Sequence, residues 1–155
     1  MKLKTSRFGE LEIAEEAIIH FPDGIIGFEN YKRYVILSEQ ENTPLRWLQS
    51  VDESELAFII ISPYLFMADY NPRIDRIDLT SLKLESACEA EILAIVVVPN
   101  NPKDMVANLM APLIVNPKLC IGKQVIIRDS SYPTRYKILE SYDKDPESAQ
   151  TVSCK

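Results

Sequence analysis

Short apolar runs of strand length, some alternating with polar residues and some continuous, recur along most of the chain. In "KLKTSRFGELEI", Leu11 and Ile13 stand against Glu10 and Glu12, so the segment reads as two short strands around Phe8-Gly9. Strand patterns return in "AIIHF", "YVILS", "RWLQSV", "LAFIIIS", "EAEILAIVVVP", "MVANLMAPLIVNP" and "GKQVIIRD". The β-branched run Ile59 to Ile61 predicts a strand covered on both faces. Pro112 interrupts its segment, which gives one or two strands, and the two prolines of "SPYLFMADYNP" predict an edge strand or an irregular crossing. The period changes once: Leu79, Leu82 and Leu84 place a partial apolar face on a short helix over 78–84, with Asp75 or Asp78 as its cap. The expectation is a mainly β, single-domain, β-barrel-like fold with one short helix over residues 1–142. Residues 143–155, "DKDPESAQTVSCK", lack an apolar period and are predicted to form a flexible C-terminal tail.

One stretch departs from plain alternation. "HFPDGIIGFENYKRY" holds two of the chain's four glycines among Phe21, Phe28, Tyr31 and Tyr34. Pro22 biases Phe21 toward extended backbone, and Gly24 and Gly27 admit positive φ. The segment predicts a tight loop that shapes the barrel wall and its surface. Phe21 is assigned to the core. Phe28 and Tyr31 have two readings, core packing or contact with a partner.

Composition narrows the class. Hydrophobic residues at 46% and charged residues at 26% describe an ordinary globular chain and argue against global disorder. The longest apolar run, Ile92 to Val98, is far short of the roughly 20 residues of a membrane helix. The N-terminus has no apolar segment of the signal-peptide kind, which predicts a cytoplasmic protein with no membrane partner. Net charge is −6, and the surplus lies in residues 1–77, with 13 acidic and 8 basic side chains. Such a chain repels phosphates, so direct nucleic-acid binding is not expected; a basic, RNA-binding protein is the more suitable partner.

No catalytic constellation emerges. The lone histidine, His20, lies in the strand context "IIHFP" without a nucleophile elbow or triad pattern, and is read as structural. Cys88, Cys120 and Cys154 are scattered, without zinc-ligand spacing, and are read as buried or incidental thiols. Asp69, Asp75 and Asp78 do not follow an EF-hand loop, "GIIG" is not a phosphate-binding loop, and no cofactor is expected. The basic residues between Lys103 and Lys137 are dispersed over several strands and read as a mixed surface. The residues favour a binding module over an enzyme.

Four ordered stretches, "HFPDGIIGFENYKRYVIL", "PLRWLQSVDESELAFIIISP", "ANLMAPLIVN" and "GKQVIIRDSSYPTRY", together resemble the flagellar assembly factor FliW family, from about Leu3 to Ile138. One departure is Ile26, where the family pattern "FPxGIPGF" carries proline. The resemblance implies a small monomeric β-barrel-like protein without catalytic activity. It implies two partners: flagellin, held soluble before export, and CsrA, an RNA-binding repressor of flagellin translation. Free protein would bind CsrA and relieve repression, a partner switch in flagellum biogenesis. Within that picture the acidic turn at Asp52, Glu53 and Glu55 is a CsrA contact, and Pro63, Tyr64 and Phe66, with Phe28 and Tyr31, are apolar flagellin contacts. Two alternatives stay open: a flagellin export chaperone with no role in translation, and a small hydrolase using His20.

Overall fold

The computed structural model describes residues 1–38, 43–128 and 131–139. The predicted tail, 143–155, with Cys154, lies outside the described residues. The strand-patterned segments form strands: β1 (Lys2–Thr5), β2 (Gly9–Glu12), β3 (Ile19–His20), β4 (Arg33–Leu37), β5 (Arg46–Ser50) and β6 (Ala57–Ile61). A short α-helix, α1 (Arg76–Ser81), separates these from β7 (Glu91–Val97), β8 (Val106–Ala107), β9 (Leu113–Asn116), β10 (Ile121–Gln124) and β11 (Tyr136–Lys137).

Seven strands close on themselves in the order β7-β6-β5-β4-β3-β10-β9, with β9 returning to β7. The fold is therefore a mainly β, seven-stranded barrel with one short α-helix among the described residues. All pairings are antiparallel except β3 with β10, which meet in parallel at a single pair, His20 opposite Ile121. Along the side of β7 away from β6, Glu91–Leu93 take β9, and Val96 and Val97 take β8. β11 then pairs with β8 outside the ring.

The strand period sorts the apolar side chains into three cores. Phe21, Tyr34, Leu48, Ile60, Leu93 and Leu113 fill the barrel. Their neighbours Ile61, Ala94, Val96 and Ile114 point outward, where Leu79, Leu82 and Leu84 cover them together with Phe66 and Tyr70. The β1–β2 hairpin packs Leu3 and Ile13 on Val35 of β4. Ile59–Ile61 is thus covered on both faces, as its continuous branching predicts.

Three local expectations change. Of the two forms expected for the crossing after β6, the structure takes the irregular one, a single 3-10 turn at Pro63–Leu65, and not an edge strand. Pro63 and Phe66 are buried, Phe66 at 4% exposure, so the "SPYLF" contact surface is reduced to Tyr64. The helix starts earlier than 78, with Asp75 at its N-cap, and stops at Ser81. Lys83 takes a left-handed φ of 57°, the Lys83 amide bonds Thr80 O, and the Leu84 amide bonds Leu79 O. These two bonds form a Schellman stop, which leaves Leu84 beyond the helix yet still in the core. β11, a two-residue strand in "TRYK", has no counterpart among the sequence-based strands.

Candidate functional site

Three places carry the residues that sequence reasoning singles out. The first is the glycine loop between β3 and β4. Gly24 sits at φ +69°, and a Cβ there would lie 2.6 Å from the Glu29 Cα, so only glycine fits. Gly27, at φ +89°, follows Ile26 in a turn closed by the Phe28 amide on Ile25 O. This is the pattern of a type II turn, which favours proline at the position Ile26 occupies. Isoleucine retains an amide hydrogen there, and that amide donates to Gln124 Oε1 at 2.9 Å, tying the loop to β10. The Gly27 amide holds the Glu29 carboxylate, which lowers its pKa from the usual value.

The loop presents Ile26, 55% exposed, and Phe28, 39% exposed, while Tyr31 is half-buried. The Phe28 ring meets Phe58 edge-on at 5.2 Å, Phe58 meets Tyr34 at 6.1 Å, and Tyr34 meets Phe21 at 5.4 Å. An aromatic series therefore runs from the surface into the barrel. Phe21 is core, as expected, and Phe28 is its exposed end.

The second place is the acidic turn between β5 and β6. It is not a free loop. The buried Gln49 amide donates to the carbonyls of Glu53, Ser54 and Leu56, and Ser50 Oγ accepts from the amides of Asp52 and Glu53. Asp52 is engaged by the Arg33 guanidinium, which donates from Nε to Oδ2 at 3.2 Å and from Nη2 to Oδ1. The charge of Asp52 is therefore paired with that of Arg33. Glu55 is exposed and Glu53 half-buried, so the uncompensated charge of the turn rests on these two. Arg33 also links this turn to the glycine loop, since β4 begins just after it.

The third place surrounds Tyr64. A cleft of about 650 Å³ opens between the 68–72 segment and the start of β7. Arg46, Tyr64, Asp69, Tyr70, Cys88 and Glu91 are among its walls. Tyr70 is fixed by its hydroxyl, which donates to Leu109 O at 2.6 Å, and burial pushes its pKa up. Two of these lining residues, Arg46 and Glu91, pair at 3.4 Å. Sequence reading passed over this cleft because its walls come from four separate segments. The one legible sign was Pro63, which ends β6.

His20 is exposed at the end of β3, bridged through its main chain to Arg33 and Ile121. Asp69, Asp75 and Asp78 do not gather: Asp78 instead pairs with Lys123 at 2.6 Å, and no cluster of three metal-binding side chains occurs among the described residues. No helix among the described residues is long and apolar enough to cross a membrane.

The family model of the FliW protein matches residues 2–138. The flagellar assembly factor FliW of Alkaliphilus metalliredigens is 41% identical over 154 residues, covering 99% of this chain and 95% of that protein. The flagellar assembly factor FliW of Bacillus licheniformis is 42% identical over 138 residues, covering 89% and 96%. A crystal structure of the flagellar assembly factor FliW superposes with a TM-score of 0.83 at 33% identity, over 89% of this chain and 96% of that one. Family model, near full-length relatives and shared barrel each cover most of the chain, and the chain belongs to the FliW family of flagellar assembly factors, which are not enzymes.

Proposed function

We propose that this flagellar assembly factor works in the cytoplasm as a monomeric partner switch. It binds flagellin before export; when flagellin leaves, the freed protein binds CsrA and relieves repression of flagellin synthesis. The observation that carries this reading is the near full-length match to flagellar assembly factors, in a chain whose described residues present charge and exposed apolar side chains to a partner.

The acidic balance supports the CsrA arm. A protein that grips RNA presents a basic surface, and a net charge of −6 is complementary to it. Glu53 and Glu55 supply the free charge of the turn, and Asp52 holds its shape through Arg33. The exposed Ile26 and Phe28, with the half-buried Tyr31 beside them, supply an apolar surface suited to flagellin.

The test is calorimetric titration with purified CsrA and flagellin. Glu53→Lys with Glu55→Lys weakens CsrA binding by about tenfold or more at low salt, with a smaller loss at high salt, and leaves flagellin binding in place. Flagellin binding without any CsrA binding to the unmodified protein supports the export-chaperone reading instead.

A further inference from the structure

The cleft beside Tyr64 has the construction of a strand-addition site. β6 and β7 pair in register from Ile59 opposite Val96 to Ile61 opposite Ala94. Two further steps would put Pro63 opposite Ile92. Pro63 has no amide hydrogen, and there the backbone turns away into the 3-10 helix. β7 nevertheless continues to Glu91, held on its other side by β9. The Ile95 carbonyl accepts from the Asn108 amide on that other side. By the alternation of an antiparallel ladder, Leu93 and Glu91 face the same way as Ile95, and the main-chain groups of Ile92 face the side that β6 has left.

The cleft lies along this edge. It touches Ala90, Glu91, Ile92 and Leu93 in succession. Ile92 belongs to the outer core and Leu93 to the barrel interior, so their side chains point to opposite faces. A cleft that meets both follows the strand edge between them. Its volume of about 650 Å³ falls within the range of about 300–1,000 Å³ seen for ligand sites. The opposite wall is fixed by the Tyr70 hydrogen bond and by packing of Tyr70 on Tyr64 at 5.9 Å and on Tyr132 at 4.7 Å.

Charge selects the occupant. Arg46 and Glu91 are committed to each other, while Asp69 is exposed and has no ion pair among the described residues. The cleft therefore carries one uncompensated negative charge, and Ala68, Ala87 and Ala90 add small apolar side chains to its lining.

We propose that the cleft binds an extended peptide segment of a partner protein, added as a short strand along Glu91–Leu93, with small apolar side chains against the lining alanines and a basic side chain against Asp69. This is strand augmentation, in which main-chain bonds give affinity and the flanking pockets give selectivity. It rests on the reading of the protein as a partner-binding factor and adds a site distinct from the acidic turn and from Phe28.

Cys88 is exposed on the cleft wall and serves as its own reporter. The experiment measures the rate of Cys88 alkylation by iodoacetamide in the full chain, with Cys120→Ser and Cys154→Ser to remove the other thiols. Overlapping short peptides spanning flagellin and CsrA are the probes. The expected result is a peptide that slows Cys88 alkylation by about tenfold at saturation, with protection lost in Ala68→Trp, which fills the cleft, and in Asp69→Lys, which reverses its charge. Circular dichroism melts verify that both variants fold, and the exposed Asp69 change keeps the test valid if Ala68→Trp does not. If intact flagellin and CsrA both bind but no peptide protects Cys88, the cleft proposal is overturned and the partner-switch reading stands; if only one of them binds and no peptide protects Cys88, the cleft proposal and the switch both fall. If neither intact protein binds, that reading falls. A phage-displayed library of random peptides then decides the cleft alone: binders lost in Asp69→Lys uphold it, and an absence of such binders overturns it.

Discussion

At the scale of single residues, the barrel interior depends on two positions that alternation alone does not explain. Gly122 stands where β10 passes the fully buried Phe21 ring, and a Cβ there would lie 2.7 Å from the ring carbons. Phe21 takes the volume that a side chain on β10 would need. Sequence reading assigns Phe21 to the core but has no means to pair it with Gly122, a hundred residues away and unremarkable within "IGKQ". Tyr34 is the second position. It is fully buried, and its hydroxyl is the one buried side-chain polar atom without a hydrogen-bond partner among the described residues. Burial, reinforced by Tyr31 and Asp52, pushes its pKa from 10.0 up to about 12. The folded state therefore holds the phenolic proton more tightly than the unfolded chain does. The associated stability is complete below pH 10 and is lost as pH rises through about 12. Tyr34→Phe removes an unsatisfied hydroxyl while keeping the ring. The expected outcome is a neutral-pH melting temperature equal to or above that of the unmodified protein, and alkaline unfolding displaced to higher pH. Circular dichroism followed across an alkaline titration reads both effects; earlier alkaline unfolding of the variant refutes the account.

At the scale of elements, long alternating runs were legible and short or contextual ones were not. β7, the most regular apolar run, was plain from "EILAIVVV". β11 was not, because two residues, Tyr136 and Lys137, carry no period, and only pairing with β8 makes them a strand. The burial of Pro63 and Phe66 is hidden from the sequence for a related reason. An aromatic segment beside prolines has the composition of an exposed edge, and only the 3-10 turn directs Phe66 back under β7. The acidic turn was located correctly as an element. Its charge was not legible, since the engagement of Asp52 by Arg33 follows from the register that sets Tyr34 opposite Ser50. The stop of α1 offers a direct test of element-level reasoning. Lys83 holds the left-handed position of the Schellman motif, where glycine carries no steric penalty. Lys83→Gly is expected to stabilise the protein by about 1 kcal/mol, less a fraction for the added freedom of the unfolded chain, as measured by urea denaturation. A loss of stability shows that the lysine side chain contributes more at this site than its backbone costs.

At the scale of the whole molecule, closure is the property furthest from the sequence, because it joins segments that no local pattern connects. β-content and a barrel-like form follow from many short strands, yet the pairs that close the ring, β9 with β7 and β10 with β3, are contacts between distant segments. The two closures are unequal. β7 and β9 share three residue pairs, whereas β3 and β10 share one, in parallel, supported by the His20 amide on Cys120 O at 2.9 Å. Side chains reinforce the weaker seam. Gln124 accepts from the Ile26 amide, and Lys123 pairs with Asp78 at 2.6 Å and with Asp23 at 3.9 Å, joining β10 to α1 and to the glycine loop. Sub-global opening should therefore begin between β3 and β10, beside the loop that carries Ile26 and Phe28, while β4, β5 and β6 remain paired. Native-state hydrogen exchange tests this ordering: the His20 amide is expected to exchange through a smaller opening free energy than the amides of Leu48 and Ile60. Lys123→Met keeps most of the side-chain stem and deletes both ion pairs. It should lower the opening free energy at His20 by about 1 kcal/mol while leaving Leu48 nearly unchanged. Equal protection at His20 and Leu48, unaffected by the substitution, means that the ring opens only as a unit. The loop would then be a fixed part of the wall, and partner binding at Phe28 would have no separate opening step to draw on.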